Sequence, residues 1–130
     1  MPLERTLDGT LGFETLEMTD ETVRGRVAVE QRIQQPMGLV HGGVYAALAE
    51  SLASEATFRV VYPEGSIAVG LSNSTSFMRP ITEGFVNAAG RRRHRGRTTW
   101  VWDIDFTDDQ GRLCASTRVT MAVRPLPRGA

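Results

Sequence analysis

The sequence predicts an α+β domain in which one antiparallel sheet curls around a single long, buried helix. Three observations lead there. Residues Gly42 to about Val60 form one long helical run, rich in Ala and Leu, that Pro63 stops. Four alternating segments follow it, separated by short turns, so successive strands are antiparallel neighbours. One alternating segment precedes it, and a single sheet wrapped on the helix is the economical way to bury both.

The first strand is predicted over Thr22 to Glu30, where Val23, Gly25, Val27 and Val29 alternate with Arg24, Arg26 and Ala28. Pro36 and Met37-Gly38 mark an irregular passage before the helix. The helix is about 28 Å long at ~1.5 Å per residue, enough to span a small domain. It is apolar on several sides and so expects cover from other structure. Ile67, Val69 and Leu71 start the next strand, which runs to Met78. Phe85 to Ala89 follows the Thr82-Glu83-Gly84 turn, Trp100 to Phe106 alternates cleanly, and Leu113 to Val123 is last. Trp100 and Trp102 are expected in the core or a subunit contact, Cys114 is expected buried and inert, and Met37, Met78 and Met121 read as packing. Arg124 to Ala130 reads as a frayed tail, disordered from about 125, on a single domain spanning 1–130.

Composition removes several classes of function. All 15 basic residues are Arg, which excludes a lysine Schiff base and a phosphate-loop lysine. The 15 acidic residues bring the net charge to zero, which argues against a dedicated nucleic-acid partner. One cysteine allows no intrachain disulfide, and two histidines do not make a His-rich metal cluster. The first residues lack a signal-peptide pattern, and Leu39 to Val61 is interrupted by Glu50, Ser51, Ser54, Glu55 and Arg59. These features point to a cytoplasmic protein with no membrane segment.

The chemistry concentrates at the start and middle of the helix. His41-Gly42-Gly43 opens it, where backbone N–H groups are unpaired and carry partial positive charge. Glycine lets a ligand come close, so this entry suits a polarised carbonyl oxygen. The spacing leaves a second reading open, a tight helix entry with His41 as its cap. Glu50 alone reads as a residue on a wet helix face, since an unpartnered buried carboxylate is costly. Ser54 lies four residues on, on the same face, placed to hydrogen-bond the carboxylate or a water beside it. Glu55 is about 140° further round and is expected to be off that face. Gly42 and Glu50 are about 12 Å apart along the axis, too far for one carbonyl to touch both. If both act on one substrate, a second copy of the helix must run antiparallel beside the first. The expectation is an obligate homodimer with two sites at its interface.

The residues Met37 to Ser54, Val69-Gly70-Leu71, His94-Arg95-Gly96-Arg97 and Gly111 to Arg118 resemble a hotdog-fold thioesterase of the PaaI-like type. The likeness covers nearly the whole chain. The residues resemble the 1,4-dihydroxy-2-naphthoyl-CoA thioesterases and the 4-hydroxybenzoyl-CoA thioesterase of the branch with a helix carboxylate. The resemblance implies hydrolysis of an aromatic or medium-sized acyl-CoA to free acid and CoA, with no metal and no cofactor beyond the CoA of the substrate. It implies Glu50 as nucleophile or general base and the Gly42 N–H as the group polarising the thioester carbonyl. Gln35 and His41 would help hold that carbonyl and the thiolate side, and Ser54 would support the attacking group. It also implies a dimer, commonly paired into a dimer of dimers. One departure concerns the acyl group: some relatives end the strand after the helix in an Asn-rich run closing on His, where this chain reads Ser72-Asn73-Ser74-Thr75-Ser76-Phe77-Met78.

Arg91-Arg92-Arg93-His94-Arg95-Gly96-Arg97 gathers five of the 15 arginines. It reads as a solvated strand end and turn, as a nucleic-acid contact, or as a clamp for the phosphates of CoA. Zero net charge weakens the second, and the resemblance favours the third, with Arg91, Arg93, His94, Arg95, Gly96 and Arg97 as its residues. Strand alternation prevents all five arginines from touching one ligand. Two alternatives stand beside the hydrolase. A hotdog dehydratase or hydratase would ask for a His–acid pair, and a non-enzymatic acyl-CoA-binding module would keep the Arg clamp without needing Glu50.

Overall fold

The computed structural model describes residues 1–127 of the chain. Two short pieces come first, a 3-10 turn at Leu3–Arg5 and helix α1 at Leu7–Leu11. Strands β1 (Glu14–Met18) and β2 (Thr22–Ala28) form a hairpin, and a 3-10 turn at Gln31–Ile33 leads towards helix α2 (Gly42–Val61). Strands β3 (Ser66–Phe77), β4 (Phe85–Arg95), β5 (Thr99–Thr107) and β6 (Leu113–Pro125) complete the chain. They form one six-stranded antiparallel sheet in the order β1-β2-β4-β5-β6-β3.

The sheet wraps α2 because one face of every central strand is apolar. Helix α2 touches β2, β3, β4, β5 and β6. It buries Val44, Tyr45, Leu48, Ala49, Leu52, Ala53 and Ala56 against Val23, Val27, Val86, Trp100, Trp102, Ile104, Phe106, Val119 and Met121. Small residues set how close the layers come. A Cβ on Gly25 would lie 3.0 Å from Leu52 Cδ2, so β2 approaches the helix only because that position has no side chain. The one polar atom that Trp102 brings into the core is satisfied: its indole N–H donates to Thr57 Oγ1 at 3.0 Å, and Thr57 donates to Ala53 O at 2.7 Å. Both tryptophans and Cys114 are buried, and burial pushes the Cys114 thiol up from its ordinary range.

Several elements depart from the sequence expectation. Strand β1 is polar and exposed and shows no apolar alternation, and α1 is a single turn with an αL glycine cap at Gly12. Strand β2 ends at Ala28 rather than Glu30. Strand β4 runs on to Arg95, so most of the arginine run is strand rather than turn. The first residues of the expected tail are paired. Arg124 and Pro125 pair with Ile67 and Ser66, and Leu126 N–H donates to Gly65 O at 2.9 Å. The rest of the expected tail, 128–130, lies outside the described residues. Among the described residues no helix is long and apolar enough to cross a membrane.

Candidate active site

The loop before α2 is tied into place by its own backbone. His41 N–H donates to Ile33 O at 2.8 Å, Val40 N–H to Ile81 O at 2.9 Å, and Gln35 N–H to Leu39 O at 2.7 Å. Gln35 Oε1 accepts the Met37 N–H, which leaves the Gln35 amide NH2 as its free donor end. His41 is the N-cap of α2, and its Nδ1 accepts the Gly43 N–H at 2.9 Å. An accepting Nδ1 puts the proton of the neutral ring on Nε2, which points away from the cap as a donor. The cap reading of His41 therefore holds, and it has a consequence for its neighbour. The Gly43 amide is occupied, while among the described residues nothing accepts the Gly42 N–H. The helix start thus presents one free amide at the positive end of a 20-residue helix.

Glu50 is exposed two turns further on, with its carboxyl over β3: a Cβ on Gly70 would lie 3.6 Å from Glu50 Cδ. No cation among the described residues pairs with it. Glu50 borders an open groove of about 450 Å3 with Asp8, Ser51, Ser54, Glu55, Phe58 and Ala68. Ser54 does share this groove, but its hydroxyl points to Met121 Sδ at 3.8 Å rather than to the carboxylate. Glu55 was expected off the face and instead borders the same groove, because the groove is wide enough to reach both sides of the Ser51–Ser54 ridge. Asp8 comes from α1, and its Oδ1 accepts the Ser51 hydroxyl at 2.6 Å. Neither Asp8 nor Glu55 was legible as a neighbour of Glu50, since one arrives from a distant turn and the other from an adjacent helix face.

The arginine run divides between two faces. A bulge between Arg92 and His94 puts Arg92 and Arg95 on one side, each stacked on the Trp100 ring at 4.9 and 5.0 Å. Arg95 also pairs with Glu64 at 3.3 Å. Arg91 and Arg93 look outward. There Arg93 meets Asp103 at 3.3 Å, and Arg118 grips the same carboxylate with two bonds of 2.8 and 2.9 Å. These hydrogen bonds and charges hold the Asp103 carboxyl below its ordinary range. Gly96 and Arg97 form the turn to β5, and His94 is exposed. A larger cavity, about 640 Å3, lies on this outer face over Arg91, Asp103, Arg118, Ser74 and Ser76. Its cations already face carboxylates, so the groove at Glu50, though smaller, holds the unpaired chemistry.

An antiparallel sheet wrapped on one helix, with a free amide at the helix start and an unpaired carboxylate in its middle, offers the groups that hydrolysis of a thioester can use. The chain belongs to the thioesterase superfamily, whose family model matches residues 37–115. It is 38% identical over 123 residues to an esterase of Pseudomonas aeruginosa, covering 95% of this chain and 85% of the relative. A structure of that thioesterase, solved as a Gln-to-Ala variant, superposes with a TM-score of 0.90 at 37% identity, over 95% of this chain and 88% of the other. The proofreading thioesterase EntH of Cronobacter turicensis is 37% identical over 118 residues, covering 91% of this chain and 85% of EntH. A Staphylococcus aureus protein, solved as a Glu-to-Ala variant, superposes with a TM-score of 0.89 at 30% identity, over 93% of this chain and all of the other. This chain is a thioester hydrolase with the hotdog fold, and the non-catalytic binding module is set aside.

Proposed function

We propose that the protein hydrolyses an aromatic or medium-sized acyl-CoA to the free acid and CoA, at two sites each shared between two copies of the chain. The observation that carries this reading is the pair of unpaired groups on α2, the Gly42 N–H and the Glu50 carboxylate. They sit about 12 Å apart, so one carbonyl reaches both only if a second α2 lies antiparallel beside the first. Strand β3 supports that pairing. It is an unpaired edge, none of its twelve residues is charged, and Val69 and Leu71 are exposed on it.

In this arrangement the thioester carbonyl oxygen accepts the Gly42 N–H, with the Gln35 amide and His41 Nε2–H as further donors nearby. Glu50 of the partner subunit attacks the carbonyl carbon, or takes a proton from the water that does. The carbonyl π electrons move onto oxygen, where the helix-start amide stabilises the charge. Collapse re-forms the C=O bond, breaks the C–S bond and releases CoA thiolate. If Glu50 is the attacking group, water then hydrolyses the acyl–Glu50 anhydride to the free acid and restores the carboxylate. Ser54 serves this step by rotating from Met121 towards the carboxylate. The reading needs no cofactor. The β4–β5 turn, with His94, Arg95, Gly96 and Arg97, is the part of the arginine run offered to the CoA phosphates: Arg97 has no carboxylate partner among the described residues, and Arg95 would exchange its exposed pairing with Glu64 for a phosphate. The same reading places the protein in the cytoplasm, with two dimers pairing into a tetramer.

The test is hydrolysis of an acyl-CoA panel by wild type and Glu50→Gln. The expected loss is about 10²–10⁴-fold in kcat. Equal rates in the two proteins would remove Glu50 from the mechanism.

A further inference from the structure

We infer that Phe77 is a specificity-determining residue: an aromatic wall beside the free Gly42 amide that selects aroyl over alkyl thioesters. The inference rests on the catalytic reading above. Along β3 the residues facing α2 are Asn73, whose amide donates to Ala46 O at 2.9 Å, and Thr75, whose hydroxyl donates to Asn73 Oδ1 at 2.9 Å. Phe77 continues that face two residues on, where the strand ends beside the start of α2. Its ring lies directly against Gly42. A Cβ on Gly42 would meet Phe77 Cζ at 3.0 Å and Cε1 at 3.2 Å. The Gly42 position is thus a glycine for a second reason: the ring occupies the space a side chain would need.

The ring has firm backing and one open side. Tyr45 meets it edge-on, with centroids 5.7 Å apart and planes at 70°, and Tyr45 is itself buttressed by Phe106 at 5.3 Å and 87°. Phe77 nevertheless remains 59% exposed. An oxygen accepting the Gly42 N–H sits about 2.9 Å from that nitrogen. In an aroyl thioester the ring is bonded to the carbonyl carbon and coplanar with it. That geometry brings it within the ~4.5–7 Å range of favourable aromatic contact with Phe77. An alkyl chain bends away at its first tetrahedral carbon and gains only part of that contact.

Benzoyl-CoA and hexanoyl-CoA supply the test. Phe77→Ala should lower the benzoyl-to-hexanoyl ratio of kcat/KM by about three- to tenfold, mostly through KM, with Phe77→Leu in between. Calorimetric binding of the non-hydrolysable ketone analogues phenacyl-CoA and 2-oxoheptyl-CoA, with and without Phe77→Ala, reads the same ratio with no turnover. Gly42→Ala should impair hydrolysis in the presence of Phe77, and Gly42→Ala with Phe77→Ala should recover part of it. A ratio unmoved by Phe77→Ala in both hydrolysis and binding would overturn the role of Phe77. Full activity at Glu50→Gln would overturn the catalytic reading while leaving the binding ratio to decide the wall.

Discussion

The two edges of the sheet are built differently. The β1 edge is short, bulged between Thr15 and Glu17, and carries Glu14 and Glu17 paired to Arg26 and Arg24 on β2. The β3 edge is more than twice as long, has no charged residue, and leaves Val69 and Leu71 exposed. Charge, brevity and bulging are the usual defences against pairing with another strand. The β1 edge has all three, whereas the β3 edge lacks charge and brevity and carries only a register shift between Gly70 and Ser72. The undefended edge is also the one beneath Glu50, whose carboxyl lies over Gly70. The contrast is what the proposed shared site needs: the open edge is where a second copy would supply the half of the site that one helix cannot.

The sharpest way to break the comparison is to place the same kind of charge on each edge. Leu71→Asp sets like charges against each other across paired β3 strands. It should weaken the dimer by about a hundredfold or more, and activity should fall with it. Sedimentation and hydrolysis at matched concentrations read both. Leu16→Lys on β1 should leave the oligomer and activity intact and change stability by no more than about 0.5 kcal/mol. A Leu71→Asp protein that stays dimeric and active would remove the distinction between the edges.

A smaller effect is expected on the outer face, away from both edges. Asp103 is held below the ordinary carboxylate range by its hydrogen bonds from Arg118, with Arg93 and Arg91 adding to it. Its lowered folded value means that its stabilisation is present above about pH 4 and is lost as acid protonates it. Asp103→Asn should therefore cost no more than about 1 kcal/mol at neutral pH, because the cluster is solvent-screened. The variant should also show a shallower loss of stability on acidification. Urea titrations at pH 7 and pH 3 measure both, and an unchanged acid slope would take Asp103 out of the account.

Much of the architecture was legible because burial leaves a period in the sequence. Strands β2, β5 and β6 and helix α2 bury alternate or helical positions, and each was read within a few residues, while β3 was read from apolar alternation at Ile67, Val69 and Leu71 although none of its residues is fully buried. Strand β1 was not legible, since an edge that faces water on both sides has no apolar alternation. The arginine run hid the end of β4 for a related reason: its side chains stack on Trp100 or meet Asp103, contacts that a charge pattern does not display. In the candidate site, helix spacing placed Gly42 at the helix start and Glu50 on a wet face two turns on, while the roles proposed for them rest on the family resemblance. The His41 cap that occupies Gly43 and frees Gly42, the Phe77 ring against Gly42, and the reach of Asp8 and Glu55 into the Glu50 groove depend on through-space packing. Spacing along the chain carries none of these.

The central claim is that each site draws Gly42 and Gln35 from one copy and Glu50 from the other. Mixing Glu50→Gln with Gln35→Ala under conditions that exchange subunits tests it most directly. Each mixed dimer then holds one complete site and one doubly defective site, so activity should rise from near zero towards about a quarter of wild type. Mixed dimers that form, as mass spectrometry would show, without any recovery of activity would contradict the shared site.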